Sequence, residues 1–168
     1  MGFVPVLVSP FREERIEGQD ASFERLLRRG PTPIPGRPAA GPPRWVAVTS
    51  PNAAWVLESV NPWPDDVRIA VVGQGTASAV LATGRRVDLV GDAGGKALAR
   101  RMIESDLAPG DVVLFPCGDE TRPELTAELG DADVHVVTIP VYRMVDDPVG
   151  ERAATGEFAA VVVGSPRL

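Results

Sequence analysis

Apolar residues along this chain gather into short runs separated by polar, glycine- and proline-marked turns. Trp45 to Thr49, Val67 to Val72, Val87 to Val90, Asp111 to Phe115 and Val134 to Val141 are rich in Val, Ile and Leu without strict alternation. That is the pattern of strands buried on both faces. Between them lie segments of helical length. One runs from Ser50-Pro51-Asn52 through Val60, and one from Gly73-Gln74-Gly75-Thr76 to Thr83. A third follows the Gly94-Gly95 turn to about Ser105, and a fourth follows Cys117-Gly118-Asp119, over Arg122 to Leu129. This alternation predicts right-handed βαβ crossovers and an α/β fold: a doubly wound, flavodoxin-like parallel sheet of five strands with helices on both sides. Ligands of such sheets sit beyond the carboxyl ends of the strands, near a topological switch, so function is expected in the strand-to-helix turns.

The flanks are less regular. Val4 to Val8 reads as a short strand, and Phe23, Leu26 and Leu27 recur at helical spacing within Gln19 to Arg29, with Asp20 as candidate N-cap. Pro31 to Pro43 holds six prolines in 13 residues and predicts an extended, semi-rigid loop, because proline lacks the amide proton that helices and central strands need. Phe158 to Val163 is again a buried-strand pattern, running into Gly164-Ser165-Pro166-Arg167. Val46 to Asn52 and Val161 to Arg167 share one local design 115 positions apart, which points to a duplicated domain. A lone strand cannot bury its own faces, so the expectation is a piece, or a shortened variant, of a longer two-domain protein.

Composition narrows the classes. With 168 residues, 44% hydrophobic and 24% charged, the chain can build one core of ordinary size. A net charge of −6 offers no nucleic-acid footprint. The single cysteine, Cys117, excludes an internal disulfide and a cysteine-cluster metal site, and the single histidine, His135, excludes a histidine-based zinc site. Apolar runs stop near six residues, as in Phe158 to Val163, far short of a membrane span, and no basic-then-apolar leader opens the chain. A cytoplasmic protein with neither a membrane nor a nucleic-acid partner is the expectation.

Each chemical motif has a plain structural reading beside the functional one. Ser50-Pro51-Asn52 can simply cap a helix, or can turn amides and the hydroxyls of Thr49 and Ser50 toward a ligand carboxylate. Gly73-Gln74-Gly75-Thr76-Ala77-Ser78, with Asp92 downstream, is a shortened dinucleotide fingerprint in which Ser78 replaces the third glycine. The same turn can equally offer amides and the Thr76 hydroxyl to any anion. Cys117 reads as a small buried thiol and His135 as a partly exposed strand residue, and no nucleophile-elbow spacing supports a serine triad. Asp119-Glu120-Thr121-Arg122 can charge a helix start, with Arg122 either solvated or reaching an acidic ligand. Tyr142, the only tyrosine, can cover the sheet edge or donate from its phenol to a leaving hydroxyl.

Taken in order, Val46 to Ala54, Ile69 to Ala77, Val112 to Gly118 with Arg122 and Leu125, Ile139-Pro140-Val141-Tyr142, and the closing Val161 to Pro166 resemble the uroporphyrinogen-III synthase family. The resemblance implies two α/β domains joined by extended linkers, one built from both chain ends and the other inserted in the middle. It divides this chain into a remnant of the split domain with its linker (1–10), the central domain (11–141, with the proline-rich loop at 31–43), and a return linker with the first strand of the split domain (142–168).

The implied reaction cyclises hydroxymethylbilane, a linear tetrapyrrole bearing many carboxylates, to uroporphyrinogen III. Loss of the hydroxyl yields an azafulvene, and a spiro intermediate reopens and closes with the last ring inverted. The resemblance implies no cofactor, no metal and a monomeric full-length protein. Positioning dominates such a task, and helix-start amides and hydroxyls allow an acidic protein to grip an acidic substrate. Thr49, Ser50, Gly73, Thr76, Ala77, Gly118 and Arg122 are the implied substrate contacts, Ser165 the donor from the other domain, and Tyr142 the catalytic residue assisting hydroxyl departure. A site that works between two domains needs both walls, so these 168 residues alone are expected to turn over little substrate. Rival readings are a nucleotide-binding α/β module and a non-catalytic fragment that binds a partner.

Overall fold

The computed structural model describes residues 11–32, 41–92 and 94–147. The expected strands at Val4 to Val8 and Phe158 to Val163, the middle of the proline-rich loop, and Ser165 lie outside the described residues. In chain order the elements are β1 (Phe11–Arg15), α1 (Gln19–Arg29), β2 (Trp45–Val48), a 3-10 helix (Pro51–Ser59), β3 (Arg68–Val72), α2 (Gly73–Ala82), β4 (Leu89–Gly91), α3 (Gly94–Ser105), β5 (Val112–Gly118), α4 (Glu124–Asp131) and β6 (His135–Asp146). The chain divides into two compact units, Arg15–Arg143 and a second formed from Met1–Glu14 with Met144–Leu168. The layers and the site described below belong to the first.

The strands form one sheet in the order β1-β6-β5-β2-β3-β4. β2 pairs in parallel with both β3 and β5, β3 with β4, and β5 with β6. The five parallel strands expected from the apolar runs are all present. Their order puts the first of the series in the centre, 3-2-1-4-5, where flavodoxin-like sheets run 2-1-3-4-5. The chain leaves β2 toward β3 on one side and returns to β5 on the other, so the topological switch lies between β2 and β5. β1 adds a sixth strand at the edge beside β6. Its sequence, Phe-Arg-Glu-Glu-Arg, carries no apolar alternation, and its position beside β6 rather than a buried face makes it a strand.

Alternation along each parallel strand serves two cores. Val46, Val48, Ile69, Val71 and Leu114 pack with Phe23, Leu27, Val56, Leu57 and Val80 from α1, the 3-10 helix and α2. Trp45, Ala47, Ala70, Val113 and Phe115 pack with Leu98, Met102, Leu125 and Leu129 from α3 and α4 on the opposite face. α3 and α4 approach closely at Gly95, where a β-carbon would stand 3.1 Å from Leu125 Cβ. Lys96 and Arg100 of α3 both reach Glu128 of α4, and the Arg100 hydrogen bond holds that carboxyl below its ordinary range.

Several element types and bounds differ from the sequence expectation, each for a local reason. Gly18, at φ 74°, is the N-cap of α1, with Ser22 N–H and Oγ both donating to its carbonyl; Asp20 sits inside the first turn instead. The segment after β2 is a 3-10 helix rather than an α-helix. Its buried positions recur every three residues, Ala53 with Val56 and Ala54 with Leu57 and Val60, which suits three residues per turn. Gly73 and Gly94, at φ 75° and 85°, begin α2 and α3 directly, so the glycines belong to first turns and not to preceding loops. α4 begins at Glu124, which leaves Arg122 outside the helix. β6 runs on to Asp146, so Tyr142 lies within a strand.

The amino ends of the strands are bound together by charge. Asp106, just past α3, accepts from Arg44 at 3.1 Å, from Trp45 Nε1 at 3.3 Å and from Arg68. The Arg68 guanidinium also lies 4.6 Å from the Trp45 ring centroid, and Arg44 reaches Asp111 at 3.6 Å. Cations beside the carboxyl end of α3 complement its dipole.

Candidate active site

The carboxyl ends of the strands carry the turns expected to hold function, and the ladder registers align them. Val48 faces Val71, Val46 faces Leu114, and Val72 faces Gly91. Carried on at the same offsets, Ser50 stands level with Gly73 on one side and with Gly118 on the other, and Gly73 stands level with Asp92. Gly118 in turn faces Tyr142. One row across the rim thus holds Ser50, Gly73, Gly118 and Tyr142, contributed by segments far apart in the chain and centred on the β2/β5 switch.

The turns differ in how many backbone donors they leave open. After β2, Ser50 Oγ accepts from Asn52 N–H at 3.3 Å and the Ser50 carbonyl accepts from Ala53 N–H at 3.2 Å, while Pro51 has no N–H. Ser50 is therefore a helix cap, and the remaining donors here are its own hydroxyl hydrogen and the half-buried Thr49. After β3, α2 starts with no side-chain cap, so its first-turn amides at Gly73, Gln74 and Gly75 have no intrahelical acceptor. Thr76 is 4% exposed and its hydroxyl makes no hydrogen bond among the described residues. Ala77, the next residue, is buried in the core beneath. This turn, and not the one at Ser50, leaves helix-start donors open at the rim.

At β5, Glu120 N–H is taken by Asp119 Oδ1 at 2.9 Å. Arg122 is exposed and forms no ion pair among the described residues. Gly118 is buried, and the Tyr142 ring packs against it: a β-carbon at 118 would stand 3.0 Å from Tyr142 Cζ. Asp119 N–H donates to the Tyr142 carbonyl at 3.0 Å, joining the two strands just past that point.

Cys117 and His135 do not meet. His135 faces Val112 at the amino end of β5, five residues back from Cys117, or roughly 16 Å along a strand. Burial pushes the Cys117 thiol up to about 11, against hydrogen bonds to Thr121 and the Ile139 carbonyl, so it stays protonated at neutral pH. It is a packing residue, as the sequence suggests. Asp92 is exposed beyond β4, and the Gly73-Gln74-Gly75 turn follows β3, one strand away from the switch. The crossovers before and after β3, the 3-10 helix and α2, pack in the same core layer, so no crevice opens at its end of the kind that holds a dinucleotide. Among the described residues no group of three or more His, Cys, Asp or Glu is placed to hold a metal ion, and no helix is long and apolar enough to cross a membrane.

One pairing in the described residues went unread in the sequence. Arg15 stacks 4.8 Å from the centroid of Trp55 on the 3-10 helix, and Trp55 Nε1 is buried without a hydrogen-bond partner. An arginine and a tryptophan 40 positions later carry no shared spacing that would have joined them.

Comparison with known proteins bears on the family and the fold. The family model for uroporphyrinogen-III synthase HemD matches residues 2–168. A mutant uroporphyrinogen III synthase from the extremely thermophilic bacterium Thermus thermophilus superposes with a TM-score of 0.58 at 18% identity, covering 89% of this chain and 56% of that one. A second Thermus thermophilus uroporphyrinogen III synthase structure gives 0.55 at 17% identity, covering 83% and 52%. The chain thus spans about half the length of these solved structures, and at such identity the likeness establishes the fold. None of the curated proteins matches the chain.

Proposed function

We propose that this chain, which belongs to the uroporphyrinogen-III synthase family, supplies one wall of a site that cyclises hydroxymethylbilane to uroporphyrinogen III, a lyase step of tetrapyrrole (heme) biosynthesis that releases water and inverts the last ring. The observation that carries this reading is the row of Ser50, Gly73, Gly118 and Tyr142 at the β2/β5 switch, beside an uncapped α2 first turn. A substrate with many carboxylates and no need of a cofactor asks chiefly to be folded and held.

Substrate carboxylates take the amides of Gly73 to Gly75 and the hydroxyl of Thr76, with Ala77 closing the floor beneath. Thr49 and the Ser50 hydroxyl donate from the neighbouring turn, and the Gly118 backbone is the contact at the end of β5. Arg122, exposed and outside α4, pairs with an outer carboxylate. Tyr142 gives its phenolic proton to the departing hydroxyl, which leaves as water; the substituted carbon of the last pyrrole then attacks the azafulvene so formed. Ser165 is the expected donor from the second domain.

The test is amide mapping by NMR during anaerobic titration with uroporphyrinogen III. Saturable shifts at Thr49, Gly73 to Ala77 and Gly118 to Arg122 are expected. Shifts confined to Arg44, Trp45 and Asp106 at the other end of the sheet, or no saturable response, would overturn the proposal.

A further inference from the structure

The parallel ladder between β5 and β6 runs in step from Val112 opposite His135 to Cys117 opposite Pro140, and then slips: Gly118 faces Tyr142, and Val141 has no opposite residue. Pro140, which cannot donate to the ladder, stands where the register breaks. One extra residue in a strand shifts every later side chain to the other face. The consequence is visible in burial. Val141 and Tyr142 are adjacent in the chain, yet are 0% and 7% exposed and both lie in the layer beneath α1 and the 3-10 helix. In a regular strand one of the two would face the opposite core.

The residue across the ladder completes the arrangement. A β-carbon on Gly118 would stand 3.0 Å from Tyr142 Cζ, 3.1 Å from Oη and 3.2 Å from Cε2. Gly118 lies in a regular strand position, with none of the left-handed backbone that glycine serves at Gly18 or Gly73. What its missing side chain provides is room for the phenol ring.

We propose that Gly118 is a positioning residue for Tyr142: the bulge at Val141 turns the tyrosine into the layer beneath the 3-10 helix, and the bare α-carbon at 118 seats its ring so that Oη lies over the last residue of β5. The functional consequence rests on the reading of Tyr142 as proton donor to the departing hydroxyl. Gly118 touches no reacting atom in this scheme and acts through the tyrosine.

Tyr142 is the only tyrosine in the chain, so its ring resonances report the seat with no ligand present. Gly118→Ala is expected to move them. Gly130→Ala, whose β-carbon would meet nothing within 4 Å, is expected to leave them in place. Should Gly118→Ala not fold, Gly118→Ala/Tyr142→Leu lacks the ring atoms the new methyl would strike and is expected to regain cooperative unfolding. Unmoved ring resonances in folded Gly118→Ala, or a double variant that still does not fold, overturn the seat. Uroporphyrinogen III added to the parent protein is expected to shift the same ring signals, and that response is expected to be lost in Gly118→Ala while the Gly73 to Ala77 amides still respond. An equal ring response in both proteins overturns the positioning role. A ligand that perturbs no residue in either protein sinks the functional reading alone and leaves the seat to be judged by the unliganded spectra.

Discussion

The two ends of this parallel sheet carry polar residues in opposite states. At the amino end, Arg44, Trp45, Arg68, Asp106 and Asp111 satisfy one another through ion pairs, an indole hydrogen bond and a guanidinium stacked on a ring. At the carboxyl end, the residues level with one another are glycines and hydroxyls, with the Thr76 side chain and the Arg122 guanidinium bound to nothing among the described residues. Parallel strands explain the asymmetry. With every crossover running the same way, the helices start at one end of the sheet and finish at the other, so donors collect at one rim and acceptors at the opposite one. The acceptor end is closed by the protein's own cations. The donor end stays open, at some cost in stability, and is the end where an anionic ligand gains most.

Substitutions can set the two ends against each other. Trp45→Ala removes a side chain only 1% exposed, together with its bond to Asp106 and its stack with Arg68; a loss of about 3 to 5 kcal/mol is expected in urea unfolding, with the dissociation constant for uroporphyrinogen III unchanged in whatever fraction remains folded. Asp106→Asn keeps the shape but strips the charge that two arginines face, and a loss of about 1 to 2 kcal/mol is expected by the same measurement. At the other end the pattern reverses. Thr76→Val should leave the unfolding midpoint nearly in place while weakening uroporphyrinogen III binding about tenfold, the value of one hydrogen bond. Equal effects of Thr76→Val and Asp106→Asn on binding would erase the distinction between the ends.

Smaller effects sharpen it. Ser50→Ala removes the cap on Asn52 N–H, and about 1 kcal/mol of stability should go with it, which gives Ser50 a structural duty that Thr76 lacks. Cys117 supplies a pH signature. Its thiol, ordinarily at 9.0, is raised to about 11 in the folded chain, so the folded state holds the proton more tightly than the unfolded one. That stabilisation is complete below pH 9 and disappears as the pH rises toward about 11. Unfolding measured across this window should show falling stability, and Cys117→Ala should flatten the slope. A thiol reagent at pH 8 should label the parent protein only as fast as it unfolds.

The five central strands were legible because burial on both faces writes itself as continuous Val-Ile-Leu runs, and Gln19 to Arg29 was legible as a helix because Phe23 and Leu27 repeat at its period. β1 was not, since Phe-Arg-Glu-Glu-Arg becomes a strand through its place beside β6 and not through a face of its own. Nor was the 3-10 geometry after β2, where Ala53, Val56 and Leu57 fit a helix of either pitch until the core beneath them selects one. Of the site, the hydroxyl- and glycine-bearing turns could be named from sequence as candidates, but their ranking could not. Ser50 and Gly73 open similar strand-to-helix turns, and only the bonds actually made separate a capped turn from an uncapped one.

The chain's sequence by itself determined the alternation of strands and helices, the glycine- and hydroxyl-bearing turns between them, and the residue types collected there, because these follow from burial periodicity and from local turn chemistry. Tertiary structure alone decided that β2 stands at the centre, that Ser50, Gly73, Gly118 and Tyr142 share one row, and that a slip opposite Gly118 turns Tyr142 toward the 3-10 helix. Strand order and register are set by pairings between segments distant in the chain, whose energies no single segment contains.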